Sequence, residues 1–287
     1  MFPRTTLFAI IMALTVTAQA ETPAFDMEIR GEGRPVYMIP GLASPGSVWD
    51  DLAGRLHDLG YQTRVLTLAG FAGQPPLESE AFLPVVRDAL VQELTTHDGP
   101  KPVVVGHSLG GFMAFWLAAT VPDSLAGIVA VDGVPYIGAL ADPNATPASA
   151  AAQARQIDQY MSNLTPEQYV EQNRATLAGM ISGKADLERM AEAGGRSSPS
   201  TVGTAVAEMM TTDLRPMMGD IQVPAVLIQA ADSGASETRR EAYAAQIESI
   251  DDVRHVVADK GLHFVPLDDP EFVAREVRYL FERIENE

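Results

Sequence analysis

The chain has 287 residues, 46% of them hydrophobic and 20% charged, which is enough for one large core with or without an insert. Its formal charge is −18, with 38 acidic against 20 basic side chains, a surface that repels nucleic acid, anionic lipid and polyanionic substrates. It contains no cysteine, which excludes a thiol nucleophile, a disulfide framework and a cysteine-ligated metal.

Residues 1–20 read as a secretory signal. Arg4 supplies the positive start, Leu7 to Val16 an apolar run too short to span a bilayer as a helix, and Ala18-Gln-Ala20 a small-x-small cleavage site before Glu21. The expectation is a periplasmic or secreted protein, cleaved near Ala20–Glu21 and not stably inserted in a membrane thereafter. Loss of Arg4 with the leader would move the formal charge from −18 to −19.

Phe25 to Arg30 alternates as a half-exposed strand does, and Gly31-Glu-Gly33 is a turn. Val36 to Ile39 is a buried strand running into Pro40-Gly41-Leu42. Val48, Leu52, Leu56 and Leu59 repeat at helical spacing and stop at Gly60. Gln62 to Leu68 is the next strand, and a Gly/Pro-rich loop from Ala69 to Pro76 precedes a helix near Ser79 to Leu94. Val103-Val-Val105 is a short β-branched run of the kind a strand buried on both faces requires. At Gly106 it breaks into Gly-His-Ser108-Leu-Gly110-Gly111, and from Leu109 the pattern becomes helical. A further strand runs from Leu125 to Val131 and ends at Asp132-Gly133.

Residues 134–213 break this rhythm, with no β-branched run and much Ala, Gln, Met, Ser and Thr. Helices are expected from Ala148 to Leu164, from Pro166 to Ile181 behind the Thr165-Pro166 cap, and from Val202 to Met210. Seven of the 12 methionines lie between Met161 and Met218. They suit either packing between helices or an adaptable acyl pocket. Strands then resume at Pro224 to Gln229 and Val253 to Ala258, with helices near Glu237 to Ile250 and Pro270 to Ile284. Strands alternating with helices at this spacing imply a mostly parallel sheet covered on both faces.

The segment 106–111 resembles the nucleophile elbow of the α/β-hydrolase superfamily, in which a serine sits on a sharp strand-to-helix turn. The likeness extends over nearly all of residues 25 to 285. It implies an α/β-hydrolase core of residues 21–133 and 214–287, with 134–213 inserted as a helical lid after the strand that follows the elbow. It also implies Ser108 as nucleophile, pushed out of a turn too tight for a Cβ at Gly106 or Gly110.

A serine hydroxyl needs a base, and the chain has five histidines. His57 lies in an amphipathic helix, His97 in a polar turn, His107 beneath the elbow and His255 inside a strand. His263 alone occupies a loop at the carboxyl end of the last strand, where open parallel sheets place their chemistry. Its setting, Leu262-His-Phe-Val-Pro-Leu-Asp-Asp-Pro270, resembles the superfamily's catalytic histidine loop. The acid usually follows the strand after the lid, which points to Asp232, although the usual glycine before the acid is missing from Gln229-Ala-Ala-Asp232. Asp132, beside the elbow strand, is the alternative acid, since some members place it there. The oxyanion-hole donors implied are the N–H groups of Leu109, directly after the serine, and Leu42, in a loop resembling the family's His-Gly-x loop with Pro40 in place of histidine.

The function implied is hydrolysis of a carboxylic ester, with a small or medium-sized and largely apolar small molecule as substrate and no nucleic-acid partner; the oligomeric state is left open. No cofactor and no metal is expected. The same triad also serves aminopeptidases, lactonases, thioesterases, carbon–carbon bond hydrolases and cofactor-free haloperoxidases, and the fold can act as a small-molecule binding module. A peptidase would want acidic groups in its lid, where Glu167, Glu171, Asp186, Glu188 and Glu192 look more like solvated helix faces.

Overall fold

The computed structural model describes residues 22–286; the signal-peptide expectation therefore lies outside the described residues. Seven strands form one sheet: β1 Phe25–Arg30, β2 Pro35–Ile39, β3 Gln62–Leu68, β4 Val103–His107, β5 Gly127–Val131, β6 Ala225–Gln229 and β7 Val253–Val257. Their spatial order is β1-β3-β2-β4-β5-β6-β7. Only β1, at one edge, runs antiparallel, pairing Phe25 with Leu68; every other pairing is parallel.

The period-2 alternation of strands sorts the core into two layers. Tyr37, Ile39, Val104 and Ile128 point to one face of the sheet. There they meet α2 (Leu83–Thr96) and α3 (Leu109–Thr120). Val36, Met38, Val103, Val105 and Val129 point to the other face, against α1 (Asp50–Asp58) and α11 (Pro270–Glu285). β2, β4, β5 and β6 are buried along their whole length, as strands with helices on both faces must be.

Between β5 and β6 the chain folds into four helices: α4 Pro147–Ser162, α5 Pro166–Leu177, α6 Lys184–Gly194 and α7 Pro199–Thr211. Thr146 and Thr165 open α4 and α5 with capping boxes, each hydroxyl accepting the N–H three residues on. α6 was not expected. Gly183 precedes it and gives no side-chain cap, so its start carries no readable sequence signal. α2 begins at Leu83 and not near Ser79, because the Glu208 carboxylate of α7 accepts the Phe82 and Leu83 N–H groups at 3.0 and 2.6 Å. A distant carboxylate therefore caps this helix, which local pattern cannot show. After β6 come two short segments, α8 Ala231–Gly234 and α9 Glu237–Ala244; α10 Val265–Asp268 precedes α11.

Candidate active site

The turn after β4 carries Ser108 at φ 54° and ψ −114°, a conformation costly for any residue with a Cβ. Neighbouring backbone over-determines it. Ser108 N–H donates to the Val131 carbonyl at 2.8 Å, and its own carbonyl accepts from Phe112 N–H at 3.0 Å. A Cβ on Gly106 would stand 2.0 Å from the Gly110 carbonyl oxygen, and one on Gly110 would stand 2.1 Å from that of Ile39. Both glycines are thus required by contact, and Gly110 locks the elbow helix onto the end of β2.

His263 follows β7 and precedes α10. Its Nδ1 lies 2.6 Å from Oδ2 of Asp132. A carboxylate can only accept here, so Nδ1–H donates and Nε2 carries the lone pair. Asp132 terminates β5 at φ 45°, and its other oxygen accepts from Ala230 N–H and from the Tyr243 hydroxyl, each at 2.9 Å. Burial alone pushes the Asp132 carboxyl up. The bonds from His263, Ala230 and Tyr243 outweigh it, and the carboxyl stays below its ordinary range, ionised.

Asp232, the first choice for the acid, is not brought to His263. The chain leaving β6 turns at once into α8, where Asp232 N–H donates to the Gly261 carbonyl and its Oδ1 accepts the Ser233 N–H at 2.7 Å. The missing glycine after β6 was the legible sign of this departure. Asp132, the alternative, occupies the position beside the imidazole.

Two neighbours fix the His263 loop. His107, wholly buried beneath the elbow, donates Nε2–H to the His263 carbonyl at 2.9 Å. Burial, followed by the repulsion of His263, lowers the pKa of His107 to about 3, so its ring is neutral and serves as a strut. Asp268 accepts Leu262 N–H at 2.8 Å and Ser182 N–H at 3.0 Å, tying the loop to the segment after α5. The other histidines are engaged elsewhere or remote. His57 bonds Thr63, His255 bonds Gln229, and His97 follows α2. Tyr243 and Asp268 carried no sequence signal, since each is defined by a partner more than five residues away.

Ser108 and His263 open together onto two cavities. The larger, about 290 Å³, lies under α4, α5 and α7 and is walled by Leu42, Ile157, Met161, Met180, Val206 and Met209. The smaller, about 160 Å³, is walled by Leu109, Phe112, Val134, Ile137, Leu140 and Met209. Three of the seven methionines therefore face the large cavity, while Met190 and Met218 are buried in the core. Leu42 sits in the tight turn Gly41–Ser44, closed by Ser44 N–H to the Gly41 carbonyl at 3.2 Å with Ala43 at φ 54°. Leu109 is the first residue of α3, so its N–H has no acceptor within the helix. A third and more voluminous cavity, about 540 Å³, lies between α9 and residues 139–143; neither Ser108 nor His263 reaches it.

Residues 36–276 match the alpha/beta hydrolase family. The chain belongs to that family. Among curated relatives it is 24% identical over 208 residues to a pimeloyl-[acyl-carrier protein] methyl ester esterase of Aliivibrio salmonicida, covering 71% of this chain and 76% of the relative. Among solved structures it is similar to a thermophilic esterase from Thermogutta terrifontis, with TM-score 0.74 and 20% identity over 91% of this chain and 93% of that one. It is also similar to a bromoperoxidase from Bacillus anthracis, with TM-score 0.76 and 16% identity over 90% of this chain and 95% of the other. At such identities the structural likeness speaks for the fold, a mostly parallel alpha/beta-hydrolase sheet. Family and esterase relatives together make the chain an esterase-like hydrolase.

Proposed function

We propose that this alpha/beta hydrolase cleaves a carboxylic ester through a serine acyl-enzyme, with Ser108 as nucleophile, His263 as base and Asp132 as orienting acid. The observation that carries the reading is the His263–Asp132 pair, its Nε2 unengaged among the described residues, sharing both cavities with a serine on a strained turn.

Nε2 takes the hydroxyl proton as Ser108 Oγ bonds to the ester carbonyl carbon. The ionised Asp132 stabilises the imidazolium that results. The oxyanion meets the N–H groups of Leu42 and Leu109. Collapse breaks the bond to the alcohol oxygen, which leaves with the proton from His263. Water, deprotonated by the same Nε2, then releases the acid from Ser108. Residues 134–213 act as the lid, since α4, α5 and α7 supply most of the large cavity's wall.

An ester is favoured over a peptide because, among the described residues, no acidic side chain other than the buried Asp132 lines either cavity, so none is placed to grip a substrate ammonium. The lid carboxylates point elsewhere: Glu188 pairs with Arg174, Asp186 with Arg189 and Glu192 with Arg196. Treatment with a fluorophosphonate probe should label Ser108 stoichiometrically, and Ser108→Ala should abolish both labelling and p-nitrophenyl ester turnover, by at least about 10⁴-fold. Turnover that survives Ser108→Ala would overturn the proposal, as would hydrolysis of aminoacyl anilides in preference to esters.

A further inference from the structure

The two cavities at the site have almost no wall in common. Among the described residues, three line both: Ser108, His263 and one side chain of the roof, Met209. Ser108 and His263 are shared because a reacting carbonyl has to meet them. Met209 is shared because of where it stands on α7. Val202, Val206 and Met209 follow one another at positions i, i+4 and i+7 and so fall on one helix face. Val202 and Val206 line the 290 Å³ cavity and not the smaller one, whereas Met209 reaches the 160 Å³ cavity as well.

The backbone that carries Met209 is pinned. At the start of α7, Ser198 N–H donates to the Gly70 carbonyl at 2.7 Å. Near its end, the adjacent Glu208 carboxylate accepts Leu83 N–H at 2.6 Å. Midway, Gly203 brings α7 so close to α4 that a Cβ there would stand 2.7 Å from the Met161 Cβ. Met209, 8% exposed, is therefore held in place between the two spaces.

The small cavity is lined largely by apolar side chains, among them Phe112, Val134, Ile137 and Leu140, while its Asp132 and Tyr243 bond each other at 2.9 Å. An apolar cavity of about 150 Å³ holds one benzene molecule, about six carbons. The small cavity thus has room for a single compact group, and the large one for a longer chain.

We propose that Met209 is a specificity-determining partition that assigns the two groups of an ester to separate cavities, and that the enzyme takes esters with one apolar group of up to about six carbons and one longer one. This rests on the ester-hydrolase reading of the same site. With the reacting carbonyl at Ser108, the longer group runs past Met161 and Val206 and the shorter fills the space behind Met209. A group too long for the small cavity holds the carbonyl away from Ser108, because Met209 stops it spilling into the large one.

The test measures kcat/KM by pH-stat titration for two series, alkyl butanoates lengthened from ethyl to octyl and ethyl esters lengthened from butanoate to decanoate. In the wild type one series alone should show a length limit, with kcat/KM falling at least about tenfold for the two carbons beyond it. Met209→Ala joins the cavities and should raise the longest member of that series at least about tenfold, leaving the other series within about twofold. Met209→Leu, close in volume, should keep the limit. So should Val206→Ala, whatever its effect on overall rate, since Val206 faces the large cavity and not the small one. If Met209→Ala melts too low to assay, Met209→Val should still extend the limit by about one carbon, the extent of its truncation. A limit in neither series or in both, or one that truncation of Met209 leaves in place, overturns the proposal. Fluorophosphonate labelling of the wild type at Ser108 and turnover of ethyl butanoate report separately on the ester-hydrolase reading.

Discussion

The floor and the roof of the site are built to different tolerances. On the floor, at the carboxyl edge of β2, β4 and β5, backbone presses on backbone. Gly106, Gly110 and Gly133 each lie where a Cβ would stand within 2.4 Å of a carbonyl oxygen, and all three polar contacts of Asp132 are made at 2.6–2.9 Å. In the roof, α4 to α7, the wall mixes the flexible or small apolar side chains of Met161, Val202, Val206 and Met209 with the polar ones of Gln172, Asn173 and Thr176. Reaction geometry has to be held to fractions of an ångström, whereas substrate selection needs only shape and a few polar contacts. The contrast predicts that floor substitutions change kcat or folding, and that roof substitutions change preference.

The largest expected effect separates the two aspartates. Asp132→Asn removes the charge that stabilises the imidazolium and presents an amide that can select the wrong tautomer, so kcat should fall by about 10⁴-fold. Asp232→Asn should stay within about twofold, because that side chain meets only the N–H of Ser233. Steady-state kinetics on a p-nitrophenyl ester checks the pair, and the reverse order would mean that the loop after β6 rearranges when substrate binds.

Folding should discriminate next. Gly110→Ala drives a methyl into the Ile39 carbonyl at 2.1 Å and that of Pro40 at 2.9 Å, and neither backbone can retreat without moving the Leu42 loop. A loss of at least about 3 kcal/mol is expected. For a chain of this size that is on the order of 5–10 °C in melting temperature. Gly179→Ala, in the roof, meets nothing nearer than the Thr176 carbonyl at 3.7 Å and should be neutral within about 0.5 kcal/mol. Equal destabilisation by the two would erase the distinction between floor and roof.

Buried parallel strands announce themselves as β-branched runs, and the lone loop histidine after the last strand meets its acid where such sheets concentrate chemistry. Two adjacent parallel strands, β5 and β6, are each followed within three residues by an aspartate, Asp132 and Asp232, and pattern alone cannot choose between them. The choice is made by backbone direction. Asp132 turns at φ 45° toward His263, while Asp232 is drawn into the helical turn of α8. Tyr243 was silent for a related reason. A tyrosine at helical spacing reads as core, and only the fold shows what surrounds its hydroxyl.

The smallest effect tests how tightly the floor holds its acid. Tyr243→Phe removes one of the three donors to Asp132 and leaves Ala230 and His263 in place. Because Asp132 titrates below its ordinary range in the folded protein, its ionised form contributes stability that is complete above the unfolded value, about 3.9. That contribution is lost as pH falls through the folded value. Removing the Tyr243 donor raises the folded value, so acid unfolding of the variant should begin at higher pH than in the wild type. At pH 7 the loss should be about 1–2 kcal/mol. Turnover should drop only severalfold, in kcat with KM unchanged, since the imidazole keeps its own bond to Oδ2. Urea midpoints measured from pH 3 to 7, alongside kcat at pH 7, distinguish this from simple packing loss, which would lower stability by the same amount at every pH.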